Sequence, residues 1–515
     1  MTHISCATLD GAKGVKIDVE ASLIKGLPAF TIVGLADLGI AESRERTKAA
    51  LSKSNISLPP YKLIINLSPA DIRKSGSFFD LSIALGAMCE ILKKEPLLKN
   101  IIVLGELGLD GALKHTPQIF PIALSMLKEG LADTFLVPSK SAYFLQKIPN
   151  IKVYGADTLT GAFDTLTTGD AECKHGTQNI NGESLTLDGK EFFYTREFAH
   201  DFSDVKGQNI AKRAALIAAA GMHNILMEGS PGCGKSMIAK RLRYILPPMS
   251  VDEILKFAML DFLEGKESDF SAKRPFRSPH NNSTRSALLG GGSKEGQIGE
   301  VALSSGGILW LDELPHFDKT LIEGLREPLE NYRILISRVN SKIDYDADFM
   351  FVGSMNPCPC GYFGDRVRRC RCSPQQIRQY QAKISGPLLD RIDLHVEVPS
   401  VRYRALTGKE NNESSAEVRK RVVGARRRQQ ERFGGAAIPA NARMTEKQIR
   451  SFCSIDEESH QLMEMAVEKL GLSARAMNRI LKVSRTIADL DGAEKIGAAH
   501  VAEAIQYRSL DRNIV

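Results

Sequence analysis

Tryptophan occurs once in this chain of 515 residues, and aromatic residues make up only 6% of it. That argues against the broad base-stacking platforms on which some nucleic-acid binders rely. No run of about 18 uncharged apolar residues exists, so the sequence offers no transmembrane helix and no membrane partner. Met1 to Gly11 lacks a cationic start followed by an apolar core, so no signal peptide is expected and the chain is expected in the cytoplasm. Internal repeats are lacking as well. Charge of one sign is not in large excess: 68 basic against 61 acidic residues leaves +7, a weak pointer to nucleic acid. With 43% hydrophobic and 25% charged residues the composition is that of a folded globular protein, which excludes a disordered, collagen-like or fibrous chain. The length corresponds to roughly three domains. Nine cysteines in a cytosolic chain read as thiols or metal ligands rather than disulfides.

Along the chain, residues 1–165 mix short apolar segments with helical patterns. Phe30-Thr-Ile-Val33, Leu63-Ile-Ile-Asn-Leu67 and Ile101-Ile-Val-Leu104 are strand signals, and 40–53 and 81–92 have helical spacing. Residues 166–200 are polar and glycine-containing and read as a linker. Residues 201–400 alternate strand and helix with glycine at the turns, which predicts an α/β domain with a parallel sheet. After 401 the spacing is helical throughout. There the segment Glu417 to Arg432 carries seven basic and two acidic residues.

Gly229-Ser-Pro-Gly232-Cys-Gly234-Lys235-Ser236 fits G-x-x-x-x-G-K-[ST]. It follows the apolar strand Asn224 to Glu228 and precedes a helical pattern, the context in which such a loop turns backbone N–H groups onto phosphate oxygens. Lys235 is expected on the β- and γ-phosphates of ATP, and Ser236 on Mg2+. Gly306-Gly-Ile-Leu-Trp-Leu-Asp312-Glu313 is an apolar strand ending in two carboxylates. Asp312 is expected to hold Mg2+ through water, and Glu313 to polarise the attacking water as a general base. Phe351-Val-Gly-Ser-Met-Asn356 ends in a neutral amide that can orient that water. Asp201 to Gln208 opens the domain where a backbone clamp on adenine would sit.

This ordering resembles the AAA+ ATPases. Leu388-Leu-Asp-Arg391-Ile-Asp is similar to the family's arginine-finger segment, and Gly471-Leu-Ser-Ala-Arg475-Ala to its sensor-2 motif. The resemblance implies that Arg391 completes a neighbour's site by neutralising charge on the γ-phosphate, and hence a ring, a homo-hexamer. A surface salt bridge is the plainer role for either arginine.

Two glycine-bounded or alternating segments lie around the Asp312 strand. Gly290-Gly-Gly-Ser-Lys294-Glu-Gly-Gln has the look of an exposed hairpin tip, and Arg333 to Tyr345 that of a second hairpin about Val339-Asn-Ser341. They resemble the helix-2 insert and pre-sensor-1 hairpin of magnesium chelatase motors and minichromosome maintenance helicases. That resemblance makes Lys294, Arg338 and Lys342 candidates for DNA contacts in a pore, gripping phosphates without reading sequence; solvated loop charges are the alternative.

Cys358-Pro-Cys360, nine residues, then Cys370-Arg-Cys372 gives C-x-C-x9-C-x-C. Four thiolates can close a tetrahedral, structural Zn2+ site; four reduced thiols in an unliganded loop are the alternative. Arg366, Arg368, Arg369 and Arg371 would make a stapled loop basic.

In the N-terminal part, Phe30 to Asp37 and Pro69 to Leu81 are similar to a Lon-protease-like α+β domain, with Ser77 near the nucleophile position. That family needs a lysine to activate the serine. The matching position here is Phe120, so the resemblance implies a non-proteolytic scaffold.

The whole order is a Lon-like domain at 1–165, linker at 166–200, AAA+ core at 201–400 and helical lid at 401–515. It is similar to that of the ComM/YifB competence proteins, the magnesium-chelatase-like AAA+ family. The resemblance implies an ATP-dependent hexameric DNA helicase. Such an enzyme acts on single- and double-stranded DNA and on branched recombination intermediates, by branch migration during natural transformation. A chelatase-type motor remodelling a protein partner, or a DNA-binding regulatory ATPase, are the rival readings.

Overall fold

The structure is a computed structural model. It describes residues 1–515 except 12, 35–37, 73, 178–179, 188, 197, 293–296, 338–341, 366–367, 401–411, 435–439 and 509–515, and the side chains of 38, 41, 187, 337 and 342. The chain forms two compact units. One comprises Met1–Asn181 together with Val251–Ser271, the other Gly182–Ser250 together with Ala272–Val515.

The first unit is built on an eight-stranded mixed sheet. Its central hairpin pairs Thr2–Asp10 with Lys13–Ile24 in antiparallel register, and Lys62–Ser68 continues the sheet beside the second strand. In Lys62–Ser68 the period of two is plain, with Leu63, Ile65 and Leu67 turned into the core. The helix Asp80–Leu92 is buried on nearly every face. At Gly86 an added Cβ would lie 3.5 Å from Ala21, so helix and sheet meet closely there. Burial pushes the fully enclosed Asp80 carboxyl up, and Arg46 opposes this with bonds of 2.6 and 3.0 Å.

Phe120 is 1% exposed and lies on the helix Ile119–Lys128. Its ring stacks on Phe262 with centroids 4.7 Å apart, and Phe262 comes from the helix Val251–Leu263. The position matched to the protease lysine is therefore part of an aromatic core. The Ser77 hydroxyl donates instead to the Glu106 carboxylate.

The second unit centres on a five-stranded parallel sheet. Its spatial order is Phe276–Arg277, Ile308–Leu311, Met350–Met355, Ile225–Glu228, Leu394–Glu397. The first strand in the chain, Ile225–Glu228, thus lies between the fourth and fifth. Its central members are unbroken buried runs such as Ile-Leu-Trp-Leu, as expected where helices cover both faces of a sheet.

Asn224 ties three strands at their start. Its N–H donates to Asp393 at 3.0 Å, its amide nitrogen to the Arg391 carbonyl at 3.2 Å, and its amide oxygen accepts from Phe351 N–H at 2.9 Å. Beyond Leu394–Glu397 the described elements are helical, from Ser415–Phe433 through Ala474–Asp491 to Ala498–Gln506. Arg213 joins this region to the sheet layer through Glu503 at 2.9 Å.

Between 166 and 200 the structure holds a hairpin, Glu183–Leu187 with Lys190–Tyr194, and the latter pairs with Met249–Ser250. The polar composition conceals it because half of each strand faces water, as an edge ribbon permits. Among the described residues no helix is long and apolar enough to cross a membrane.

Candidate active site

The loop between Ile225–Glu228 and the helix Lys235–Ile245 turns on two left-handed glycines, Gly232 at φ 78° and Gly234 at φ 102°. A Cβ at either would meet nothing within 4 Å, so the two leave an open concave backbone cradle that other residues would adopt only under strain. Gly229 is required for a different reason, since a Cβ there would fall 2.3 Å from the Val398 carbonyl oxygen. Lys235 is 9% exposed. Its ammonium donates to the carbonyls of Gly229 at 2.6 Å and Ser230 at 3.1 Å and to the Asn356 amide oxygen at 3.3 Å.

Ser236 Oγ donates to Asp312 Oδ2 at 3.1 Å. The helix start after the loop and the end of Ile308–Leu311 thereby place a hydroxyl and a carboxylate together, the hard oxygen donors that Mg2+ takes. Glu313 adopts φ 54°, a left-handed conformation that costs a non-glycine residue about 1–2 kcal/mol. Its N–H is fixed by Asp312 and by Ser354 Oγ, each at 3.1 Å, and its side chain is exposed. Ser354 also donates to the Asp312 carboxylate.

A buried cation, an open glycine cradle and an oxygen pair make a donor set that fits a nucleoside triphosphate with a divalent cation. Beside it, Gln208 holds the loop by donating to the Cys233 carbonyl at 2.8 Å and the Pro399 carbonyl at 2.6 Å. Glu228 sits just before the loop. Burial, then the charge of its strand neighbour Glu397, pushes its carboxyl up to about 7.

Arg391 is 7% exposed. Its guanidinium pairs with Glu330 and donates to the Pro387 carbonyl at 2.7 Å. Arg475 begins the helix Ala474–Asp491 and is 65% exposed, 3.7 Å from the other oxygen of Glu330. One carboxylate thus faces both candidate arginines, and with them as neighbours its carboxyl lies below the ordinary range despite burial.

The four cysteines Cys358, Cys360, Cys370 and Cys372 bring all their sulfurs within 4.8 Å of one another. Three of the separations are 3.4, 3.7 and 3.6 Å. In tetrahedral zinc thiolates, bonds of about 2.3 Å put the sulfurs about 3.8 Å apart. The N–H groups of Arg371 and Tyr362 hold the Cys360 thiol down, to about 6. The cluster fits a tetrahedral metal ion.

The strands Arg333–Ser337 and Lys342–Asp346 pair as an antiparallel hairpin. Gly291 and Gln297 bridge in antiparallel fashion. Lys294 and Arg338 lie outside the described residues, as does the side chain of Lys342.

Sequence reasoning passed over Ser354, Glu330 and Glu228, and gave Gln208 only as the end of the segment expected on adenine, not as a side chain holding the phosphate loop. A lone serine inside a buried apolar strand and a carboxylate closing another were signals for Ser354 and Glu228. Glu330 carried none, because its partners lie 61 and 145 residues away.

A parallel sheet with its first strand between the fourth and fifth, a phosphate loop on that first strand and a helical C-terminal region define an AAA+-type P-loop fold. Three family descriptions match the chain: "Magnesium chelatase, subunit ChlI" over residues 201–406, "Magnesium chelatase, subunit ChlI C-terminal" over 412–508, and "Subunit ChlI of Mg-chelatase" over 19–141. The Competence protein ComM of Haemophilus influenzae is 38% identical over 98% of this chain and 96% of its own. The YifB protein of Escherichia coli is 37% identical over the same shares. The Magnesium-chelatase 67 kDa subunit of Chlorobaculum parvum is 24% identical over 30% of this chain and 23% of its own. The chain belongs to the magnesium-chelatase-like AAA+ family that includes the ComM and YifB proteins, and membership implies an ATPase that uses ATP and Mg2+.

Proposed function

We propose that the protein is a ring-forming, ATP-driven DNA motor that promotes branch migration of recombination intermediates. The observation that carries the reading is the convergence of Lys235, Ser236, Asp312, Glu313 and Asn356 at one end of a parallel sheet, on the same unit as the hairpin Arg333–Ser337 with Lys342–Asp346. The name of the Haemophilus relative, a competence protein, adds support for DNA as the partner.

In this reading Gly229, Gly232 and Gly234 shape the loop around the phosphates, and Lys235 exchanges its carbonyl partners for phosphate oxygens. Ser236 and Asp312 hold Mg2+, which neutralises charge on the β- and γ-oxygens when bound. Glu313 draws the proton from the attacking water, and Asn356 orients that water. Arg391 of one subunit serves its neighbour's site, and Arg475 approaches the nucleotide from the helical region. Six copies close the ring, and Lys294, Arg338 and Lys342 grip backbone phosphates inside it. Zn2+ in the four-cysteine cluster holds a basic loop in shape.

Strand displacement on forked and three-stranded DNA, with and without ATP, tests the reading. Displacement that requires ATP and fails in Glu313→Gln is expected. The limited similarity to a chelatase subunit favours a second reading, a motor that remodels a protein partner. ATP hydrolysis indifferent to DNA, with no displacement, would overturn the first reading in favour of the second.

A further inference from the structure

The four-cysteine loop reaches back to the phosphate loop. It leaves the sheet directly after Asn356, and Asp365 within it accepts from Ser230 Oγ at 2.6 Å, the second residue of the phosphate loop. The same carboxylate accepts from Ser400 Oγ at 2.8 Å, just past the strand Leu394–Glu397, and from Arg368 N–H at 2.9 Å. A second contact lies beside it. Gly361, at φ 84°, faces Pro231 so closely that an added Cβ would fall 2.6 Å from the proline ring. Two successive residues of the phosphate loop, Ser230 and Pro231, are therefore held by the cysteine loop.

Between Met355 and the helix Pro374–Gln381 the described residues form turns and irregular backbone. Beside the Asp365 contacts, a hydrogen bond from Arg368 to the Tyr362 hydroxyl at 2.7 Å and short turns, the four cysteines hold the two ends of the loop together, and a cluster of thiolates imposes a conformation chiefly when a metal joins them.

We propose that Asp365 is a positioning residue of the nucleotide site. The four-cysteine cluster, through Asp365 and Gly361, sets how tightly the phosphate loop holds a nucleoside triphosphate. A metal-filled cluster presents the Asp365 carboxylate to Ser230 and packs Gly361 on Pro231. An empty cluster releases both, and the loop must then be ordered by the nucleotide alone. The inference rests on the nucleotide reading above.

The test is a titration of the full chain with a fluorescent ATP analogue, with metal content measured in parallel. Wild type is compared with Asp365→Ala, Asp365→Asn, Ser230→Ala, Gly361→Ala and the Ser230/Asp365 double alanine variant. Loss of one charge-assisted hydrogen bond is expected to weaken binding roughly tenfold in Asp365→Ala. Asparagine still offers an oxygen to Ser230 and should recover part of that loss. The double variant should bind no more weakly than the weaker single variant, the sign of one shared interaction. Asp365→Ala should keep its metal. Stripping metal from wild type should weaken binding at least as much, and stripping it from Asp365→Ala should add only what the Gly361–Pro231 contact contributes.

Gly361→Ala keeps the carboxylate and the cysteines but forces Pro231 away, so it should also bind more weakly, whatever the foldedness of the Asp365 variants. Wild-type affinity in both Asp365→Ala and Gly361→Ala, or independent multiplication of the metal and Asp365 effects, would overturn the proposal. Lys235→Ala separates this from failure of the nucleotide reading: if that variant binds as well as wild type, the site itself is misassigned.

Discussion

Replacing Glu228 by glutamine should stabilise the protein, and by an amount that depends on pH. Glu228 ends the buried strand Ile225–Glu228 and pairs in register with Glu397. Burial first, and the Glu397 charge second, raise its carboxyl from 4.5 to about 7. The native state therefore holds the proton more tightly than the unfolded chain. Its contribution to stability is fully present below about pH 4.5 and is lost as pH rises through about 7. At about 1.4 kcal/mol for each pH unit separating the two states, ionisation costs the folded protein about 3 kcal/mol by pH 8 and under about 1 kcal/mol at pH 5. Glutamine reproduces the protonated form and escapes that cost. Thermal unfolding of wild type and Glu228→Gln between pH 5 and 8.5 is the assay. Melting temperatures nearly equal at pH 5 and separated by roughly 6 °C at pH 8 are expected. Glu397→Gln, which removes the lesser cause, should shrink the separation without abolishing it. A melting difference of constant size across the range would refute the reasoning, because a glutamine that merely packs differently has no titration to follow.

Glu313→Gln should bind ATP as wild type does and lose turnover, whereas Lys235→Ala should weaken nucleotide binding; normal hydrolysis in the first variant would remove Glu313 from the chemistry. Arg391→Ala should lose turnover while a single subunit still binds nucleotide. Rings mixed from Arg391→Ala and Glu313→Gln subunits should recover part of it, and no recovery at any ratio would argue against action on a neighbour. Metal analysis of protein purified without chelators should find about one zinc per chain, and zinc-free protein with intact thiols would end that assignment. Neutralising Lys294 and Arg338 together should weaken DNA binding at all sequences alike and flatten its salt dependence by about one slope unit per lost phosphate contact. Strand displacement should then fall further than ATP hydrolysis; unchanged displacement would place the DNA path elsewhere, with Arg419 to Arg432 the next candidate.

What could be read in advance was local. The glycine spacing of Gly229 to Ser236, the apolar run closed by Asp312 and Glu313, and the paired C-x-C units each declare themselves within about fifteen residues. The parallel α/β sheet and the helical region after it followed from alternation and its disappearance. What escaped depends on residues the fold brings together from afar. Ser354 reaches Glu313 across 41 positions and Asp365 reaches Ser230 across 135. No pattern along the chain encodes such pairings, because they are properties of sheet order and of where loops return. The hairpin at Glu183–Leu187 and Lys190–Tyr194 escaped for a different reason: its strands are short, polar on one side and completed by Met249–Ser250, more than fifty residues later.

The chain passes between its two units three times, after Asn181, after Ser250 and after Ser271. The segment Val251–Ser271, which lies between the phosphate-loop helix and the second strand of the ATPase sheet, supplies Phe262 and Phe270 to the aromatic core around Phe120 and Phe144. Neither unit can therefore be isolated by a single cut. A fragment ending at 181 would leave Phe120 without its stacking partner, and one beginning at 182 would carry an apolar helix with nothing to bury it. Deletions meant to find out what the first unit contributes would report such unpaired surfaces as loss of function. Point changes on the intact chain, at Ser77 or Glu106, avoid that confusion.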